Sequence, residues 1–196
     1  MKCCGVLLAV LFLASCASTT TNRAGLSLMS ASAYESVVDR WTDRIEEYNG
    51  LSNTVTIQGT LLNPEMALAQ LDQNARVYQW DQSTYDNEKR ALENRLATET
   101  QVFVSFYSPE RKWDDLYKSK TLWKIFLDVN GQRYEGKSTK VKLLTPEIQS
   151  LYHYHTSFAT PYLITFPVSA TAVNGQPARL TFTGAIGSAT LNFGPK

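Results

Sequence analysis

The sequence predicts an α+β fold: an antiparallel, β-sandwich-like sheet domain preceded by two N-terminal helices, one of them long. Three observations lead there. Between residues 32 and 98 the apolar side chains recur at helical spacing. From residue 101 the period changes to two, with Gly, Pro and Asn-Gly punctuation between short runs. No helical segment of any length separates those later runs, which excludes a doubly wound nucleotide-binding sheet. Composition allows such a domain, with 43% hydrophobic and 11% aromatic residues among 196.

The first helix is expected over 32–48. Ser32-Ala33-Tyr34-Glu35 reads as a capping box, in which the serine hydroxyl and the glutamate satisfy each other's orphan N–H groups. Tyr34, Val37, Val38, Trp41, Ile45 and Tyr48 follow on one face, and Asn49-Gly50 reads as a left-handed cap. The opposite face carries both charge signs, which argues for packing on the core rather than on a membrane surface. Val55–Leu61 alternates as a strand. Asn63-Pro64 then starts a second helix, with Asn as cap and Pro at its first position. Leu68, Leu71, Ala75, Tyr78, Gln82, Tyr85, Lys89, Leu92 and Leu96 keep a three-four spacing throughout. That unbroken phase predicts one helix over 64–98, with an irregularity near 81–84. Strands follow at Val102–Tyr107, Thr121–Val129, Gln132–Tyr134, Thr139–Leu144, Tyr162–Phe166, Ala178–Thr183 and Ala189–Phe193. Asn130-Gly131 and Asn174-Gly175 mark turns.

The N-terminus carries an address. Residues 1–16 read MKCCGVLLAVLFLASC: one lysine, a short apolar run, then small residues ending at a cysteine. The run is too short to span a bilayer, which takes about 20 residues. Leu13-Ala14-Ser15-Cys16 resembles the lipobox of bacterial lipoproteins. The resemblance implies a signal peptide over 1–15, an acylated Cys16 and, from Ala17 rather than Asp, sorting to the outer membrane. An uncleaved apolar helix or an ordinary secreted protein is the plainer alternative. Residues 16–31, small and hydroxyl-rich, are expected to be a flexible tether, leaving 32–196 as a single globular domain. Cys3, Cys4 and Cys16 are the three cysteines, so the domain can form no disulfide.

Function is less legible. Lys plus Arg is 19 against Asp plus Glu 18, and loss of Lys2 with the leader brings the balance to zero. That removes the electrostatic case for nucleic acid. His153 and His155 are the only histidines, and on an extended backbone they share a face, the start of a metal site or of acid–base chemistry. Two aromatic-flanked loop histidines are the plainer reading, and neither a third ligand nor a nucleophile motif accompanies them. Asp114 and Asp115 suggest a carboxylate pair, though adjacent residues of an extended chain point apart. Lys124, Arg133, Lys137, Lys140 and Lys142 make the hairpin region basic, which suits anionic lipid or glycan as well as a solvated sheet edge. No cofactor is expected. The reading leans away from an enzyme and towards a lipid-anchored, non-enzymatic binding or structural module. It would face the periplasm, with an envelope protein or peptidoglycan as partner. The alternatives are a hydrolase or metal-binding protein using His153 and His155, and a carrier of a hydrophobic ligand or lipid between helix and sheet.

Overall fold

Part of the segment expected to be a tether is folded. The computed structural model describes residues 18–194, so the lipidation candidate Cys16 lies outside the described residues. Here β1 (Thr19–Thr21) and β2 (Ser27–Met29) form an antiparallel hairpin. Asn22 builds the turn: its Oδ1 accepts from the N–H groups of Ala24 and Leu26, and its Nδ2 donates to the Trp80 carbonyl at 2.9 Å. Leu26 and Leu28 bury against Ala75. Two leucines suffice to dock an otherwise polar segment, and its composition concealed that.

Helix α1 (Ala31–Arg40) starts one residue earlier than expected, with Ser30 rather than Ser32 as its cap, accepting from Ala33 N–H. It also ends at Arg40 rather than residue 48. Tyr34, Val37, Val38 and Trp41 complete its buried stripe. The next residues, rich in alternating charge, pair instead as β3 (Thr42–Asn49) with β4 (Ser52–Leu62). Asn49-Gly50 turns this hairpin, with Gly50 at φ 62°, where a side chain would be strained. Ile45 and Tyr48 fall at helical spacing by coincidence. β3 is an edge strand; Arg44 and Glu46 are exposed there, while Asp43 accepts from Asn192 N–H at 2.7 Å.

The long helix is two helices, α2 (Pro64–Val77) and α3 (Gln82–Thr98). Asn63 caps α2 as expected, accepting from Met66 N–H at 2.9 Å. The break comes where Gln79 takes φ 53° and Asp81 becomes a new cap, accepting from Thr84 N–H at 2.8 Å. Ala67 and Leu71 meet Leu92 and Leu96, while Ala75 meets Trp80 and Tyr85, so the pair runs antiparallel. Asp72 ties three elements together, accepting from Tyr85 Oη at 2.7 Å and from Met29 N–H at 2.9 Å. Gln82 is thus the first residue of α3, where proline is tolerated. Gln82→Pro should cost less than about 1 kcal/mol in urea denaturation, whereas a helix interior would lose about 3. A loss near the larger figure would contradict the break.

The remaining elements are β5 (Thr100–Tyr107), β6 (Trp123–Val129), β7 (Gln132–Glu135), β8 (Lys137–Lys140), α4 (Thr145–Leu151), β9 (Thr160–Phe166), α5 (Ala170–Val173), β10 (Ala178–Gly184) and β11 (Gly187–Phe193). They assemble antiparallel sheets in the orders β3-β4-β5-β9-β8 and β11-β10-β6-β7. The domain is therefore a sheet-rich α+β fold. Gly136 is the switch between the sheets: its N–H donates to Ile125 O, and a Cβ there would lie 2.5 Å from the Phe166 ring. Ile57, Val104, Phe106, Tyr162 and Ile164 from the larger sheet and Leu127, Leu180, Phe182 and Leu191 from the smaller share one core. The helices and the loop after α4 cover the larger sheet's other face.

Candidate functional site

That outer face decides what the protein can hold. Register places Thr56, Gln58, Thr60 and Leu62 of β4 opposite Tyr107, Ser105, Phe103 and Gln101 of β5, all on the side away from the sheet–sheet core. The segment 152–155 crosses this face as a turn rather than as an extended strand, with His155 N–H donating to Tyr152 O. Tyr152 stacks on Phe103 at 3.7 Å between ring centroids. The Tyr154 hydroxyl bonds Thr60 Oγ1 at 2.6 Å, and His155 Nδ1 bonds Ser105 Oγ at 2.9 Å.

The two histidines therefore part company. His153 points outward, 3.3 Å from Asp39 with both side chains exposed, a contact of little energetic weight. His155 is 2% exposed. The shared face assumed for an extended backbone does not exist, because the turn rotates one ring into the domain and the other out. Among the described residues no three His, Cys, Asp or Glu side chains gather as a metal site. Asp114 and Asp115 also diverge. Asp114 accepts from the Tyr162 hydroxyl at 2.7 Å and from Thr160, while Asp115 accepts from Thr121 Oγ1 at 2.8 Å and from Leu122 N–H. Both are structural acceptors, and burial together with Asp114 pushes the Tyr162 hydroxyl well above the usual phenol range.

Burial holds the His155 imidazole below its ordinary value. The folded state then stays neutral while the unfolded chain, titrating near 6.5, takes up a proton. The unfolded state binds more protons in that window, so stability should fall as the pH drops below about 6.5. Urea denaturation at about pH 7.5 and 5.5 checks this: the decline should be smaller in His155→Gln than in the wild type. An unchanged decline would assign it to other groups.

On one side of the Tyr152–His155 plug lies a cleft of about 300 Å³ between α2, α3, α4 and the sheet. Leu62, Leu71, Leu92, Phe103, Leu151 and Leu163 form its apolar walls. Trp80, from the link between α2 and α3, stands at one end, and Val141 and Leu143 supply a further wall. Polar groups reach it as well: Gln70, Asn74 and Gln101, with Glu88 and Arg95 on α3. On the other side a depression of about 460 Å³ is bounded by Arg44, Gln58, Ser105, Tyr107 and Phe158. The leucines of the first cleft were legible as core, but nothing in the sequence marks them as lining a gap. That depends on where the helix hairpin stands above the sheet.

Comparison of the chain with protein-family models, with curated proteins and with solved structures finds no match. Among the described residues no helix is long and apolar enough to cross a membrane.

Proposed function

We propose that this is a lipid-anchored envelope protein, held through an acylated Cys16 at the periplasmic face of the outer membrane. Its domain is a non-enzymatic binding module that holds an apolar or amphiphilic ligand. The cleft between helix hairpin and sheet carries this reading. Its volume of about 300 Å³ stands at the small end of the usual range for ligand pockets, and apolar walls with a few polar groups are their common chemistry. The anchor rests on Leu13-Ala14-Ser15-Cys16. An envelope protein or peptidoglycan as ligand gains no support from walls of this kind. The hydrolase reading has one observation in its favour, the Ser105–His155 hydrogen bond. No carboxylate pairs with that ring among the described residues, and His153 stands apart.

N-phenylnaphthylamine, a neutral dye that brightens in apolar surroundings, tests the cleft on the purified chain. Ala91 lines the cleft from the exposed side of α3, so Ala91→Trp fills it without touching the core. Dye affinity should fall at least about tenfold, or 1.4 kcal/mol, with the melting temperature unchanged; equal affinity would sink the cleft. Cys16→Ser should abolish acyl labelling and membrane retention, and unchanged retention would sink the anchor.

A further inference from the structure

The loop that walls one side of the cleft brings basic and apolar surface together. Residues 137–144 run from the edge strand β8 to the start of α4. Lys137, Lys140 and Lys142 are exposed, and none forms an ion pair among the described residues. Lys124 and Arg133 on the neighbouring hairpin, by contrast, each hold a carboxylate. No acidic residue lies between Gly136 and Pro146. Leu143 and Leu144 stand next to the lysines, 44% and 72% exposed.

This backbone is held at both ends. Val141 N–H donates to Pro161 O at 2.9 Å, and Leu144 N–H donates to the Glu147 carboxylate at 2.8 Å. Two adjacent leucines are thus kept in water by a fixed loop, beside three unpaired ammonium groups. A neutral apolar partner would leave the lysines unused, and a purely polar acidic one would leave the leucines unused. An anionic bilayer uses both, since leucine side chains enter the acyl boundary while lysines meet lipid phosphates. Val141 and the exposed Leu143 of the same loop line the cleft, which puts the loop at its rim. Arg95, which forms no ion pair among the described residues, adds a further cation to the lining. The one lining carboxylate, Glu88, lies seven residues earlier on α3, about 10 Å away along the helix.

We propose that the cleft takes an acyl chain of an anionic phospholipid, admitted from the bilayer through the mouth at Val141–Leu144. The inference rests on the cleft reading above and names its ligand class. The chain lies among Leu71, Leu92 and Phe103, and the lipid phosphate stays with the lysines at the mouth.

The full chain in nanodiscs tests it, using phosphatidylglycerol or phosphatidylcholine that carries the same photoreactive acyl chain. Crosslinks should map to residues 67–95 and 141–143 and should be at least about fivefold stronger from phosphatidylglycerol, the expectation for several lysines facing an anionic surface. Lys140→Glu combined with Lys142→Glu should erase that preference, and Ala91→Trp should remove the crosslinks within 67–95. Equal labelling by the two lipids, or labelling confined to the surface of 137–144, overturns the proposal. Dye binding to the purified chain free of lipid separates the failures. Dye that binds and is blocked by Ala91→Trp, without lipid crosslinks in the cleft, leaves the cleft and removes the lipid; absence of dye binding removes both.

Discussion

Phe106→Ala should destabilise the domain by about 3–5 kcal/mol, a large part of the margin that holds most domains folded. Phe106 lies in β5 with no exposed surface. Its ring centroid is 5.7 Å from Trp123, 6.3 Å from Tyr162 and 6.4 Å from Phe182, so it touches side chains of both sheets. Truncation would open a void at the seam between the layers, where neither sheet can close in without moving its partner. Urea denaturation of the variant is the measurement. A loss under about 1.5 kcal/mol would mean that the two sheets repack more freely than their shared core suggests.

Gly184→Ala should cost about 3 kcal/mol or more, at the upper end for overpacking. A Cβ at Gly184 would lie 2.2 Å from the carbonyl oxygen of Leu122, the residue just before β6, and that backbone is held by the pairing of Trp123 with Gly184, so it cannot step aside as a side chain can. Gly59→Ala is the internal control. Its Cβ would meet the tip of Leu191 at 2.7 Å, and that tip can rotate. Gly184→Ala should therefore be the more damaging of the two by denaturation, and the reverse order would refute the argument.

Much of the β-rich half was legible because its signal is local, although β8 (Lys137–Lys140) stops short of the expected Thr139–Leu144 and the short helices α4 and α5 stand where no helix was expected. Asn130-Gly131 turns β6 into β7 as its dipeptide demands, with both residues at positive φ. Trp123, Ile125, Leu127 and Val129 alternate into the core as their spacing says. The helical half misled wherever a spacing pattern ran on past a physical break. Tyr78, Gln82 and Tyr85 preserve a helical phase across residues 78–81. Periodicity cannot register that Gln79 adopts a left-handed conformation or that Asp81 caps a new helix. Trp41, Ile45 and Tyr48 did the same across the start of β3. Pairing with β4 decided that segment, and pairing is a long-range property no local window contains. For the candidate site, the aromatic segment Tyr152–His155 announced itself. Its partners Phe103, Thr60 and Ser105 sit on other strands, and only register brings them beneath it.

The docked hairpin β1–β2 also fixes how far the domain can travel. A tether of fifteen residues would reach about 50 Å when fully extended. From Cys16 to Thr19 there are three residues, about 10 Å at full stretch. With an acyl group on Cys16 the domain is moored against its leaflet rather than leashed to it. On the proposed function, its search for a ligand would then be two-dimensional, governed by diffusion within the membrane plane. Any partner standing farther off than roughly the domain's own breadth must come to it.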